Sequence, residues 1–167
     1  MPLSLMSRLR GECRREFLRA ASSRFTDGDV LWQAGRRGAA IYLWGYAVEM
    51  WLKSAYFRHL GFGESQPIVL SQMRQTLAFL EAQMPGAFVA PKNLHDLASW
   101  AQALVLQRQL LGRPYPAAFA SQLLICGARI GGGWSESLRY HDNQASPGEA
   151  QEFRTEVSWI RSRTRIL

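Results

Sequence analysis

Residues 35–62 constrain the fold of this chain more than any other segment, because their apolar side chains recur at helical spacing. The recurring positions are three or four residues apart: Ile41, Trp44, Val48, Trp51 and Ala55. This spacing places them along one face of an α-helix. The segment therefore predicts a long helix with an apolar, largely aromatic stripe.

A neighbouring face of the same helix carries Tyr42, Tyr46, Glu49 and Lys53. Glu49 precedes Lys53 by one helical turn, which is the favourable order for an ion pair on a helix. Charges among so many aromatic residues have two interpretations. Glu49 and Lys53 are either a buried pair that fixes helix packing or part of a groove for a ligand or partner.

Other segments of the chain also have apolar residues at helical spacing, and residues that start or stop helices separate these segments. The first helix is predicted from about Leu5 to Phe25, where the turn-forming residues 26–29 end it. A third helix is predicted between residues 70 and 84, and Pro85-Gly86 stops it.

The last three helices are predicted from their start signals. Asn93 is the predicted N-cap of the fourth, with Asp96 three residues later in a variant capping box. Pro116 starts the fifth, which the triple glycine 131–133 ends. The sixth begins at the capping box formed by residues 146–149, with proline at the first helical position.

No segment alternates apolar and polar residues with the period of a strand, so the sequence predicts an all-α, up-and-down helical bundle. A chain of 167 residues suits one domain, residues 1–167. Glu49 and Lys53 interrupt the best candidate for a membrane span, and the N-terminus lacks a signal-peptide core. We therefore expect a cytoplasmic protein that does not enter a membrane.

The chain is basic, with a net charge of +7, and only two of its 20 basic residues are lysines. Arginine suits the recognition of phosphate or carboxylate groups. GC-rich codon usage gives the same bias without any functional cause. Two cysteines make neither a disulfide framework nor a metal site, and no metal-binding or phosphate-loop motif is present. We expect no metal and no cofactor.

Four local patterns occur in order along the chain. RREFLRAA (14–21) lies in the first predicted helix, AVEMWLK (47–53) lies in the second, and NLHDL (93–97) opens the fourth. SLRY (137–140) precedes a last helix that ends in VSWI (157–160). Together these patterns resemble the HEPN domains of prokaryotic defence and toxin–antitoxin systems.

The resemblance implies four long up-and-down helices and a shorter one, with residues 65–91 as an insertion after the second helix. It also implies a homodimer or a partnership with a small nucleotidyltransferase or an antitoxin. Many HEPN domains are metal-independent RNases in which about four to six residues separate a catalytic arginine from the histidine that follows it. His59, His95 and His141 all lack that arginine, so the family's RNase signature is absent.

His95 and Asp96 match the histidine and aspartate at the start of the family's HDL helix, just as Glu49 and Lys53 match its second helix. One interpretation is structural, with Asp96 capping the helix and His95 packed against a neighbour. The other gives His95 an acid–base role, because the pKa of histidine lies near neutral pH.

Arg139, Tyr140, His141 and Asp142 form the densest polar cluster in the sequence. In the structural interpretation, Arg139 pairs with a carboxylate such as Glu49 and Tyr140 packs on the bundle. In the functional one, the guanidinium binds phosphate while the aromatic and imidazole rings stack on bases. We therefore expect a module that binds RNA, a nucleotide or a protein partner. The alternative is an RNase with a non-standard set, Arg139 with His141 or His95.

Overall fold

The computed structural model describes residues 12–141 and 144–167, and its helices follow one another in a bundle. Their bounds are: α1 Arg14–Gln33, α2 Arg37–His59, α3 Leu70–Gln83, α4 Leu97–Leu110, α5 Ala117–Gly133, a 3-10 helix Glu136–Tyr140 and α6 Pro147–Arg161. Within those described ranges the only β pairing is an isolated antiparallel bridge between Cys13 and Pro67. The predicted all-α class is confirmed.

Helix α2 lies at the centre of the bundle, in contact with α1, α4, α6 and the 3-10 helix. Every residue of the predicted apolar stripe is buried, from Ile41 to Ala55. Burial also extends beyond that stripe, to Leu52, Tyr56 and the charged pair Glu49 and Lys53. A helix enclosed on several faces carries almost no purely solvated side, so polar residues on it must find partners inside the protein.

The predicted end of the first helix, at residues 26–29, is wrong, because α1 continues to Gln33. Packing overrides the local turn preference here. Gly28 lies so close to Trp44 that an added Cβ would come within 2.6 Å of the indole ring. Asp29 accepts hydrogen bonds from the Arg154 guanidinium of α6 at 2.9 and 3.2 Å. The predicted start near Leu5 lies outside the described residues.

Helix α3 matches the predicted third helix, and Gly86 after it adopts a positive φ of 77°. This helix belongs to the segment that the sequence suggests is an insertion. Its inner residues Met73, Leu77 and Leu80 are nevertheless buried in the core. The Tyr56 hydroxyl of α2 also donates to the Thr76 carbonyl at 3.2 Å.

The predicted N-cap of the fourth helix is also wrong, because Asp96 rather than Asn93 caps α4. The Asp96 carboxylate accepts the Ser99 backbone N–H at 3.2 Å. Asn93 instead accepts the His95 N–H and stabilises a turn before the helix. His95 therefore lies ahead of the helix, in a segment that can turn towards α2.

Helix α5 starts after Pro116 as predicted, but it includes the triple glycine and ends at Gly133. Trp134 follows at once, and its indole N–H donates to the Tyr42 carbonyl of α2 at 3.0 Å. The capping box of α6 is confirmed, with Ser146 and Glu149 bonded reciprocally. None of the helices that the structure describes is long and apolar enough to cross a bilayer.

Candidate functional site

The site begins with a charged pair inside the bundle. Glu49 and Lys53 expose only 4% and 6% of their surface. The Lys53 ammonium donates to Oε1 of Glu49, and it also lies 5.3 Å from the ring centre of Trp100. Their burial and mutual bond agree with the first of the two interpretations, a pair that helps to fix helix packing.

His95 joins this pair from the segment before α4. Its Nδ1 lies 2.9 Å from Oε2 of Glu49, so each oxygen of that buried carboxylate has its own partner. On the other side of the ring, Nε2 lies 3.6 Å from a carboxylate oxygen of Glu136 in the 3-10 helix. His95 thus connects three parts of the chain that are far apart in sequence.

The electrostatic surroundings favour the protonated form of His95. The hydrogen bond to Glu49 is the largest influence and raises the pKa of His95, while partial burial opposes it. The negative charges of Glu49 and Glu136 raise the pKa further, and the positive charge of Lys53 lowers it. The net direction is upward, because the two carboxylates outweigh burial and the lysine.

Aromatic rings enclose this histidine. The ring centres of Tyr46 and Trp134 lie 6.0 and 6.4 Å from the imidazole, in edge-on orientation. Tyr46 also packs edge-on against Tyr42 at 5.0 Å. Burial, followed by a hydrogen bond with Tyr42, raises the pKa of Tyr46 to about 12. The tyrosine therefore remains neutral and acts as an aromatic wall of the site.

A small cavity of about 180 Å³ opens beside His95. Its lining joins the start of α4 to the end of α5 and the 3-10 helix: Asn93, His95, Asp96, Leu97, Gly131, Trp134, Ser135 and Glu136. The cavity is large enough for a few water molecules or a small polar group. The exposed part of His95 can therefore meet a reacting or binding group from solvent.

Arg139 and Tyr140 lie at the end of the 3-10 helix, at the surface. The guanidinium carbon of Arg139 is 4.6 Å from the ring centre of Tyr140, and Tyr140 is 74% exposed. The neighbouring Tyr140, and then a hydrogen bond with Tyr42, raise the pKa of Arg139. The positive charge of Arg139 also partly offsets the rise in the pKa of Tyr46, the tyrosine that packs on His95. The Glu49 oxygen that the structural interpretation assigned to Arg139 is bound by His95 instead.

His141 does not line the cavity beside His95 but a broad groove of about 1040 Å³ between α5 and α6. Glu156 and Arg129 form an ion pair at 2.7 Å in that groove. The buried Cys126 thiol donates to Glu156 at 2.8 Å. Burial, followed by that bond, raises the pKa of Cys126 to about 12, so the cysteine remains a thiol. Asp142, the fourth residue of the sequence cluster, lies outside the described residues.

The structure thus joins Glu49, Lys53 and His95 in one cluster, with Arg139 at the surface close to Tyr46. Asp96 caps α4 and His141 lines a different groove. Sequence reasoning missed Glu136 and Trp134, and it placed Tyr42 and Tyr46 on the helix face of Glu49 without assigning them to the site. One sequence feature could have indicated that Glu136 belongs to the site, because it lies three residues before Arg139. A second feature could have indicated Trp134, which is a large aromatic residue directly after three glycines.

No three His, Cys, Asp or Glu side chains in the described ranges are grouped so that they could hold a metal ion. The cluster offers an imidazole with a bound carboxylate for proton transfer, and an exposed guanidinium with an aromatic ring for anions and bases. Comparison of the chain with protein-family models, with curated proteins and with solved structures finds no match.

Proposed function

We propose that this protein is a binding module for single-stranded RNA or a nucleotide. The proposed surface, here called the Arg139 face, consists of Arg139, Tyr140, Tyr42, Tyr46 and His95. The observation that carries the proposal is the exposed Tyr140 ring with the Arg139 guanidinium stacked on it. A base can stack on the open ring while the guanidinium binds the adjacent phosphate.

Two further observations support this function. The net charge of +7 favours a polyanionic ligand. The order of sequence patterns resembles that of the HEPN domains of prokaryotic defence and toxin–antitoxin systems, many of which are RNases. The missing arginine before each histidine favours binding over cleavage.

A titration of fluorescent RNA at low and moderate salt tests the proposal. We expect weak, salt-sensitive binding that Arg139→Ala weakens more than Arg165→Ala. Arg165 is the matched control, because it is also exposed but lies beyond the end of α6. The reverse order, with little dependence on base identity, would assign binding to the C-terminal arginines. No binding by the wild type at low salt would refute the proposal.

A second pair of variants tests whether RNA binding depends on the aromatic ring at position 140. Tyr140→Phe keeps an aromatic ring, whereas Tyr140→Ala removes it. Stacking of one base on an aromatic side chain contributes about 1–3 kcal/mol. We therefore expect Tyr140→Ala to weaken RNA binding about fivefold or more, and Tyr140→Phe to leave it nearly unchanged.

Metal-independent RNA cleavage is the second candidate, and the geometry of His95 favours it over His141. Glu49 holds the imidazole as a carboxylate holds a catalytic histidine, and the cavity beside the ring gives access. Incubation of highly purified protein with a mixed RNA pool tests this candidate. Robust cleavage that is lost in His95→Gln but retained in His141→Gln would replace the binding proposal. We expect no substantial cleavage, because the family signature is absent.

A further inference from the structure

His95 stands between two carboxylates that belong to different parts of the fold. Glu49 faces Nδ1 from α2 at 2.9 Å, and Glu136 faces Nε2 from the 3-10 helix at 3.6 Å. We propose that His95 is a proton-operated latch, which in its protonated form holds the 3-10 helix against the bundle. The latch would regulate the Arg139 face, and only this regulatory role rests on the proposed RNA binding.

The chemistry of imidazole explains why a proton is needed. A neutral imidazole has one N–H donor, and its other nitrogen carries a lone pair. If the single hydrogen serves Glu49, the lone pair faces the negative oxygen of Glu136, and this contact is repulsive. An imidazolium carries a hydrogen on both nitrogens, so it can donate to Glu49 and attract Glu136 at the same time.

The charged groups that face His95 define the direction of the switch. From α2 they are Glu49 and Lys53, and from the 3-10 helix the group is Glu136. Tyr46 packs on the ring, and Asp96, in the same segment as His95, is bonded to Ser99. The bond to Lys53 and the burial of Glu49 hold that carboxylate in place, so Glu49 is the fixed side of the latch and Glu136 is the movable side.

The pH window follows from the raised pKa of His95. Glu49 stays bonded to His95 in both states, so opening removes only the part of this rise that Glu136 causes. The latch therefore contributes its full stabilisation below the pKa that His95 has in the open state. That contribution is lost as pH rises through the raised value. The latch is therefore closed in mildly acidic solution and opens towards alkaline pH.

The element that the latch holds is weakly attached otherwise. The 3-10 helix has no buried residue. Trp134 anchors the chain just before it, Leu138 packs partly on the core, and Arg139 at the exposed end interacts with Tyr42 of α2. Among the ion pairs of the described residues, the contact with His95 is the one that reaches this helix. Release of Glu136 therefore loosens the segment that presents Arg139 and Tyr140.

Hydrogen exchange of the full chain tests this latch without any RNA. The readout is the protection of peptides that cover residues 135–141, corrected for the intrinsic exchange rate, from about pH 5.5 to about pH 8.5, on both sides of the usual histidine pKa. In the wild type we expect protection to fall about threefold across this range, the size of a partly exposed ion pair.

Glu136→Gln is the decisive variant, because its neutral amide removes the lone-pair repulsion and leaves the buried Glu49 intact. We expect its protection to become nearly independent of pH. His141→Gln, which changes the neighbouring exposed histidine, should retain the wild-type dependence. Nuclear magnetic resonance of the His95 ring nitrogens should show a lower pKa in Glu136→Gln than in the wild type.

A wild-type protection independent of pH, or a dependence unchanged in Glu136→Gln, would overturn the latch. An unchanged His95 pKa in that variant would do the same, even if exchange in this segment were too fast to measure. RNA titrations on the same proteins separate the two proposals. Failure to bind RNA with an intact pH dependence of exchange would refute the binding function and leave the latch.

Discussion

Glu49 uses its two carboxylate oxygens for two different parts of the chain. Oε1 accepts from Lys53, one turn along the same helix, and Oε2 bonds to His95, which lies 46 residues away in sequence. A carboxylate that is 4% exposed is costly without such partners. The stability of the fold should therefore depend on both charges of the Glu49–Lys53 pair, and substitutions can test this.

We predict that Glu49→Ala lowers the free energy of unfolding by about 3–5 kcal/mol, since it leaves the buried Lys53 ammonium without its carboxylate. Lys53→Ala should cost less, because His95 still bonds to Glu49. The double variant should cost much less than the sum, because no unpaired charge remains from the pair. Urea unfolding of the two single variants and the double variant measures this coupling.

Arg24 and Asp27 provide the matched control, because they form an exposed ion pair on α1 at 3.8 Å. The same cycle there should give a coupling of less than about 1 kcal/mol. Similar small, additive effects at Glu49 and Lys53 would mean that water reaches both side chains. Lys53→Met, which keeps an apolar stem near Trp100, then separates lost packing from lost charge.

Sequence spacing predicted the bond between Glu49 and Lys53, because a helix brings residues four apart together. It could not predict that His95 completes the site. That contact depends on how α4 packs against α2, and on a helix start at Asp96 rather than Asn93. One interpretation of the sequence instead paired Arg139 with a carboxylate such as Glu49. Residues separated by a whole helix meet through tertiary packing, which local patterns do not encode.

At the scale of elements, the close approach of Trp134 to α2 holds the start of the 3-10 helix in place. Gly45 makes this approach possible, because a Cβ on it would lie 2.1 Å from the indole ring. We predict that Gly45→Ala lowers the free energy of unfolding by about 1–3 kcal/mol, the usual range for overpacking. It should also weaken RNA binding, since the ring supports the Arg139 face.

Gly132 in α5 is the control, because nothing lies within 4 Å of a Cβ added there. Gly132→Ala should be neutral or stabilising by up to about 1 kcal/mol, as alanine favours helix more than glycine does. The free energies of unfolding, from urea titrations, decide between the two positions. A neutral Gly45→Ala would mean that Trp134 moves aside easily and does not fix this end of the bundle.

Helix bounds show where sequence signals suffice. The capping box at Ser146 and the break at Pro85-Gly86 were predicted correctly, because each acts through its own backbone. The turn-forming residues 26–29 gave a wrong helix end, because Gly28 packs against Trp44 and Asp29 bonds to Arg154 within a continuous helix. The same residue types form a turn or continue a helix according to what packs beside them.

At the scale of the whole molecule, the question is whether residues 65–91 are an appendage or part of the core. The family resemblance implies that these residues are an insertion after the second helix. The structure buries Met73, Leu77 and Leu80 in the same cluster as Val48. The Ile68 N–H also donates to the Glu12 carbonyl, near the start of α1, at 2.8 Å.

We therefore predict that Leu77→Ala, at a side chain 1% exposed, lowers the free energy of unfolding by about 2–5 kcal/mol. Leu70→Ala makes the same chemical change on the same helix at a side chain 58% exposed, and should cost less than about 0.5 kcal/mol. Because α3 shares its core with α2, Leu77→Ala should unfold in one transition, with circular dichroism and tryptophan fluorescence changing together in urea. An early, separate transition in that variant would show instead that residues 65–91 unfold on their own.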